Sequence, residues 1–343
     1  MKIAFATFLT LFTLFSVTFA SSGDRSPLFT GCVGRCNVHH CGMNEVGLKV
    51  WLRVTRWSCV DDCKYLCMAE ITDTDVRNGK PLQQYYGKWP FYRFLGMQEP
   101  ASVVFSLLNL WAHKRGREAI RRKISEHHPM RPYYLMWSAI SINAWFWSGI
   151  FHTRDTPRTE KLDYFSAALS ILYGLYIAIL RLFHLYPLPQ TSRLTLSAKP
   201  SQPSNSWKRI SITILFSIMY IAHVSYLLFL PRFDYTYNIV FNTVLGVSHN
   251  ILWAIYALPT SMSFIRRFPS QPKSYRPKFV SKAAWFVVLM TAATSLELFD
   301  FQPWARTIDA HSLWHLATAP IAFLWYQFLI EDSNDISWRE QRL

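Results

Sequence analysis

The sequence predicts an all-α membrane protein, a bundle of seven transmembrane helices carrying a small disulfide-rich N-terminal domain in a lumenal compartment. Three observations predict it. The composition is greasy and poor in charge, at 51% hydrophobic, 16% aromatic and 17% charged, where soluble domains carry about a quarter charged residues. Apolar runs of spanning length recur from about residue 94 onward. All six cysteines crowd between Cys32 and Cys67. The formal charge of +15 does not point to nucleic acid, because the basic residues sit in short loops between apolar runs and so carry a topology signal.

The opening "MKIAFATFLTLFTLFSVTFA" has one Lys, an unbroken apolar stretch, and Thr18 and Ala20 at the small-residue positions of a cleavage site. Residues 1–20 therefore read as a secretory signal peptide, with an uncleaved anchor as the competing reading. Cleavage after Ala20 would deliver residues 21–93 to an oxidising lumen, where Cys32, Cys36, Cys41, Cys59, Cys63 and Cys67 can form up to three disulfides. The sequence does not choose among the pairings. A zinc site built from these cysteines with His39 or His40 competes. Cys59, Cys63 and Cys67 recur every four residues, so a helix there lines them along one face.

Seven spans are expected at roughly 94–113, 132–152, 161–180, 208–230, 236–258, 280–299 and 309–330, each near the ~20 residues needed to cross a bilayer. The first has the shortest apolar core, "ASVVFSLLNLWA", and "PLPQTSRLTLSAKPSQPSNS" is a loop by composition. The connections at 114–131, 181–209 and 261–282 carry 7, 5 and 6 Lys and Arg, whereas those at 153–161, 231–237 and 300–310 carry 3, 1 and 1. The positive-inside rule puts the first set in the cytosol. The cysteine domain is then lumenal, the region 94–330 is the membrane domain, and 331–343 is a cytosolic tail.

Under this topology five residues meet at one depth, just inside the lumenal rim. Ser148 and His152 close the second span, Asp163 opens the third, and His311 and His315 open the seventh. Ser148 and His152 are four apart, as are His311 and His315, so each pair shares a helical face. Two imidazoles at i and i+4 offer one metal two ligands. His152 from a neighbouring helix would complete the three-ligand set of a catalytic zinc, with a fourth position for water. Asp163 is placed as base and proton carrier, and Ser148 as hydrogen-bond partner of the water or the developing oxyanion. Blander readings compete: packing for an isolated HxxxH, and a macrodipole-favoured helix N-terminus for Asp163. The joint occurrence of costly polar groups inside spans favours the site. Asp155, Asp300 and Asp309 are candidates to support a ligand histidine from outside. His223 and His249 fall mid-span, and His113, His127, His128 and His184 flank the cytosolic ends as interfacial residues. No phosphate loop, GxSxG elbow or HExxH occurs.

With these residues in view, "SLLNLWAH", "NAWFWSGIFHTRDTPRTEKLDYFSA", "HVSYL", "RFDYTYN" and "LELFDFQPWARTIDAHSLWHLATAP" resemble the Per-like family, that of post-GPI-attachment-to-proteins factor 3. The fingerprint of SxxxH, an aspartate eleven residues on and a C-terminal HxxxH is similar to that of the wider CREST superfamily, with its alkaline ceramidases and progestin and adiponectin receptors. The resemblance implies seven helices holding zinc through His152, His311 and His315, with Asp163 and Ser148 attending the water. It implies an enzyme that removes the sn-2 acyl chain from the lipid of GPI-anchored proteins during GPI remodelling. The substrate partners would be GPI-anchored proteins with their phosphatidylinositol lipid, and the location the endoplasmic reticulum membrane, with the Golgi second. The rival readings are a ceramidase-like amidase and a non-enzymatic escort or receptor with a structural zinc.

Overall fold

The computed structural model describes residues 21–41, 47–187 and 206–340. The expected signal peptide at 1–20, most of the Pro/Ser-rich loop and the last three residues of the tail lie outside them. Among the described residues the regular elements are helices, joined by turns with isolated bridges. They fall into two compact units, one reaching to Glu99 and taking in Gln302–Asp309, the other comprising Pro100–Phe301 and Ala310–Leu343.

The first unit is built on α1 (Pro27–Cys36) and α2 (Cys59–Arg77). Each starts at a serine cap: Ser26 accepts from the Phe29 amide with Pro27 in the first turn, and Ser58 accepts from the Asp61 amide. The cysteines pair as a nested ladder, Cys32–Cys67, Cys36–Cys63 and Cys41–Cys59, which is what antiparallel helices with facing cysteines permit. The step from Cys36 to Cys41 is one residue too long for an α-helical face. A wide π turn over Asn37–Cys41 absorbs it and returns Cys41 to the seam. All six thiols are consumed, so the competing cysteine zinc site loses its ligands. Phe29 and Tyr85 fill the small core, and three bridges worth about 2–4 kcal/mol each supply what so small a core does not. Gln302–Asp309 is bound into this unit through Arg306. Its Nε donates to the Pro90 carbonyl at 2.6 Å, its Nη1 meets Asp73 Oδ1 at 2.5 Å, and its carbonyl accepts the Tyr92 amide at 2.9 Å.

The second unit holds seven helices of 16 to 26 residues at the seven expected positions: α3 (Pro100–Lys123), α4 (Arg131–Thr153), α5 (Pro157–Leu182), α6 (Ser206–Phe229), α7 (Tyr235–Ala257), α8 (Val280–Ser295) and α9 (Ala310–Ser333). Four of them, α5, α6, α7 and α9, are long and apolar enough to cross a membrane, and α8 is a shorter apolar helix. Helices α3 and α4 fall below that mark because they carry serines, an asparagine, histidines and, in α3, a charged second half. The first helix begins at Pro100 rather than residue 94, since proline is tolerated in the first turn but not further in. Residues 331–333 are the last turn of α9, and Trp338 from the expected tail is buried. Exposed Ile210, Ile214, Ile218 and Ile221 give α6 an apolar outer face, as expected of a lipid-facing helix.

Two devices hold the bundle. Small and polar residues let α3 approach its neighbours; at Gly116 any Cβ would run into the Tyr326 ring of α9. At the end of the bundle formed by the C-termini of α5 and α9, Arg181 and Asp332 are fully buried and bonded two-fold at 2.7 Å. Arg181 also donates to the Arg267 carbonyl at 2.6 Å, and Asp332 accepts from the Tyr256 hydroxyl at 2.6 Å. The Trp338 indole donates to the Asp332 carbonyl at 2.7 Å.

Candidate metal centre

The stretch between His152 and Asp163 is a helix–turn–helix joint. Helix α4 ends at Thr153, and α5 restarts at Pro157 behind a capping box in which Thr156 and Thr159 exchange side-chain and backbone bonds. The two helices run antiparallel. Ser141 bonds Ser170 at 3.0 Å, and Asn143 bonds Ser166 at 3.0 Å. Asp163, Ser166 and Ser170 share one face of α5 at helical spacing, so the face carrying Asp163 is turned to α4. Continuing that antiparallel pairing sets Asp163 level with Trp147 and Ser148. Asp163 stands in the second turn of α5, beyond the first-turn reach of the macrodipole, so the macrodipole reading loses its force.

Helix α9 brings His311 and His315 against His152. The His311 Nε2 lies 3.3 Å from His152 Nε2 and 2.9 Å from His315 Nε2, and the ligand atoms of all three sit within 4.8 Å of one another. His152 and His315 are 2% and 1% exposed, whereas the His311 side chain retains 37%. The cluster is therefore buried on two sides and open on one. Tetrahedral zinc with Zn–N bonds of ~2.0–2.1 Å separates its nitrogens by about 3.3 Å, so the donor set fits a small cation bound through three Nε2 atoms.

The Nδ1 side of the α9 rings supports the same fit. His311 Nδ1 lies 2.7 Å from Glu297 Oε1; a carboxylate there accepts the Nδ1 proton and leaves Nε2 as a bare donor. His315 Nδ1 lies 3.0 Å from Ser106 Oγ on α3. Two Nε2 atoms at 2.9 Å are held by a proton on one of them or by a cation between them, and protons on both Nδ1 atoms would leave the cation. Ser148 is buried, 3.0 Å from Ser106 Oγ, and so reaches His315 through one hydroxyl.

The structure thus brings His152, His311, His315 and Ser148 into one network, with Asp163 on the facing side of α5. The sequence reading named Asp155, Asp300 and Asp309 as supports and missed Glu297 and Ser106. A signal existed for each. Glu297 is an acid inside the apolar run "TSLELF", and Ser106, Asn109 and His113 recur on one face of the first span. Other histidines take packing roles. His113 and His128, expected at the interface, are buried, His113 bonding Tyr326 at 2.9 Å and His128 against Trp338 at 4.4 Å. His223 stacks on Phe241 at 4.0 Å, and His249 accepts from the Trp253 indole at 3.1 Å.

Fold and site together define a class: an all-helical protein of membrane-type composition with three histidines converging at one end of its bundle. The Per1-like family profile matches residues 49–333, and the chain belongs to that family. It is 39% identical over 326 residues to "Protein PER1 homolog" of Schizosaccharomyces pombe, covering 94% of this chain and 90% of that protein. It is 38% identical over 334 residues to "GPI-specific phospholipase A2-like PGAP3" of Xenopus tropicalis, covering 96% and 95%. It is 37% identical to "Post-GPI attachment to proteins factor 3" of Drosophila melanogaster, covering 93% and 91%.

Proposed function

We propose that the protein is a zinc-dependent acyl-ester hydrolase that removes the sn-2 fatty acid from the lipid of GPI-anchored proteins during GPI remodelling. The observation that carries this reading is the convergence of the His152, His311 and His315 Nε2 atoms within 3.3 Å steps. The relatives named for GPI attachment and for a GPI-specific phospholipase A2-like activity support the substrate. All seven helices cross the membrane, with the N-terminal domain and site lumenal and the C-terminus cytosolic. The bilayer is that of the endoplasmic reticulum, with the Golgi as second choice. The charge asymmetry of the loops supports the orientation.

His152, His311 and His315 would hold the zinc. When bound, it supplies Lewis acidity to the ester carbonyl and lowers the pKa of a water toward ~7. The remaining work falls to the chain. The Asp163 carboxylate takes a proton from the attacking water as its oxygen bonds the sn-2 carbonyl carbon. Asp163 returns that proton to the glycerol alkoxide as the C–O bond breaks, so a lyso-lipid and a fatty acid leave. Ser148 holds the water and the reacting carbonyl in place. A lumenal-leaflet ester meets such a site sideways, near the headgroup boundary.

The partial exposure of His311, at 37%, supports catalysis over the escort or receptor reading, in which a structural zinc is closed off. The test is acyl release by the purified full chain from a GPI lipid and from a ceramide, with Asp163→Asn alongside. The expected result is fatty acid from the GPI lipid alone, reduced about 10²–10⁴-fold in Asp163→Asn with zinc content unchanged. Release from ceramide alone establishes the amidase reading, and full activity in Asp163→Asn removes the base.

A further inference from the structure

Helix α3 carries a buried polar stripe that the proposed chemistry leaves without a role. Ser102, Ser106, Asn109 and His113 follow one another at helical spacing and are 2%, 0%, 0% and 6% exposed. Three of the four face α9. His113 bonds Tyr326 at 2.9 Å, well away from the cluster. Ser106 and Asn109 converge on one residue, His315. Ser106 Oγ meets the ring at Nδ1, 3.0 Å away, and Asn109 Nδ2 donates to the His315 carbonyl at 2.6 Å.

That carbonyl sits where α9 is weakened. Pro320 lies inside the helix and offers no amide to the Leu316 carbonyl, the next along the chain from that of His315. Thr318 Oγ also donates to the His315 carbonyl, at 2.9 Å. His315 is thus gripped by ring and backbone together, beside the interrupted stretch of its own helix.

The protons at Ser106 can be accounted for. Its hydroxyl lies 2.7 Å from the Ser102 carbonyl, 3.0 Å from Ser148 Oγ and 3.0 Å from His315 Nδ1. A serine oxygen has one proton and two lone pairs. All three contacts are used at once when Ser106 donates to the Ser102 carbonyl and accepts from both Ser148 and His315. His315 then carries its proton on Nδ1, and its Nε2 lone pair is free to face His152 and His311.

From this geometry we infer that Ser106, backed by Asn109, is a positioning residue: it fixes the tautomer and ring orientation of His315 and turns the Ser148 lone pairs toward the reacting water. The inference rests on the zinc reading above and deepens it. It changes the part given to Ser148, whose own proton is committed to Ser106. Toward the site Ser148 accepts a water proton rather than donating to an oxyanion. Without the Ser106 oxygen, the His315 Nδ1 proton is orphaned in a dry interior. The ring relieves this by moving the proton to Nε2, which then has no lone pair for a metal.

The experiment measures zinc bound by the purified full chain, its affinity by competition with a chromophoric chelator, and the visible spectrum of the cobalt-substituted protein. Ser106→Ala is expected to weaken zinc about 10–100-fold, the range for losing the partner of a ligand histidine, and to shift the cobalt bands. Ser106→Thr keeps the hydroxyl and is expected to restore affinity. Ser138→Ala removes a fully buried α4 serine that bonds Arg117 and the Leu135 carbonyl and is expected to bind zinc like the parent. Should Ser106→Ala not fold, the near-isosteric Ser106→Cys, a poor acceptor, carries the same expectation. Parent-like zinc affinity and cobalt bands in Ser106→Ala or Ser106→Cys overturn the positioning role alone. A parent chain that binds no zinc overturns both this inference and the zinc reading.

Discussion

The two ends of α9 hold two polar clusters, one with α5 and α7 and the other with α4, and they differ in one respect. At the C-terminal ends of α5 and α9, Arg181 and Asp332 close a knot in which opposite charges cancel, with bonds at 2.7 Å, and Tyr256, Trp338 and the Arg267 carbonyl occupy further donors and acceptors. Where the N-terminal end of α9 meets the C-terminal end of α4, three imidazole nitrogens point at one another at 2.9 and 3.3 Å. The first cluster is satisfied by the chain itself. The second turns three nitrogens of one kind toward one another, an arrangement that could hold a metal ion. Opposite charges that cancel mark architecture, and like ligand atoms that converge mark a candidate metal site.

This contrast is broken most severely by removing a ligand. His152→Ala is expected to abolish acyl release and to lower zinc affinity by more than about 100-fold, beyond the loss typical of a supporting partner, while the thermal midpoint in detergent without metal stays near the parent's. Zinc titration and calorimetry check this. The reverse pattern is expected at the other end. Arg181→Met leaves Asp332 as an uncompensated buried charge, a loss of about 3–5 kcal/mol read as a lowered unfolding midpoint, with zinc affinity unchanged in the folded fraction. Pairing it with Asp332→Leu is expected to recover most of the loss, because both charges are then gone.

A smaller effect sharpens the comparison within the histidine cluster. Glu297→Gln keeps a hydrogen-bond acceptor at His311 Nδ1, now 2.7 Å from a carboxylate oxygen, but removes its charge. Zinc affinity is expected to fall about 10-fold, at the low end for such supports. Chelator competition on Glu297→Gln and Glu297→Ala checks it, with the alanine variant the weaker of the two.

Much of this was legible in the sequence for a physical reason. A spanning helix must hide its backbone polarity within one continuous apolar segment, so the four helices apolar enough to cross a membrane announced themselves, and helical spacing put His311 and His315 on one face. What joined distant segments was not legible. Nothing local distinguishes Arg181 and Asp332, 151 residues apart, as a buried pair rather than two interfacial charges. The disulfide ladder depended on the π turn at Asn37–Cys41, which spacing alone does not specify. Glu297 and Ser106 were passed over because each is a single polar residue in a greasy run. The helices α3 and α4, which carry Ser106, Ser148 and His152, are not among those apolar enough to count as spans, because polar residues lower the average.

The central claim is that one zinc ion is shared by His152, His311 and His315. Zinc-edge X-ray absorption of the purified full chain tests it most directly. The account predicts one zinc with only nitrogen and oxygen neighbours at ~2.0–2.1 Å and an imidazole scattering pattern that is lost in His152→Ala. Sulfur neighbours at ~2.3 Å, or a spectrum unmoved by that substitution, would contradict it.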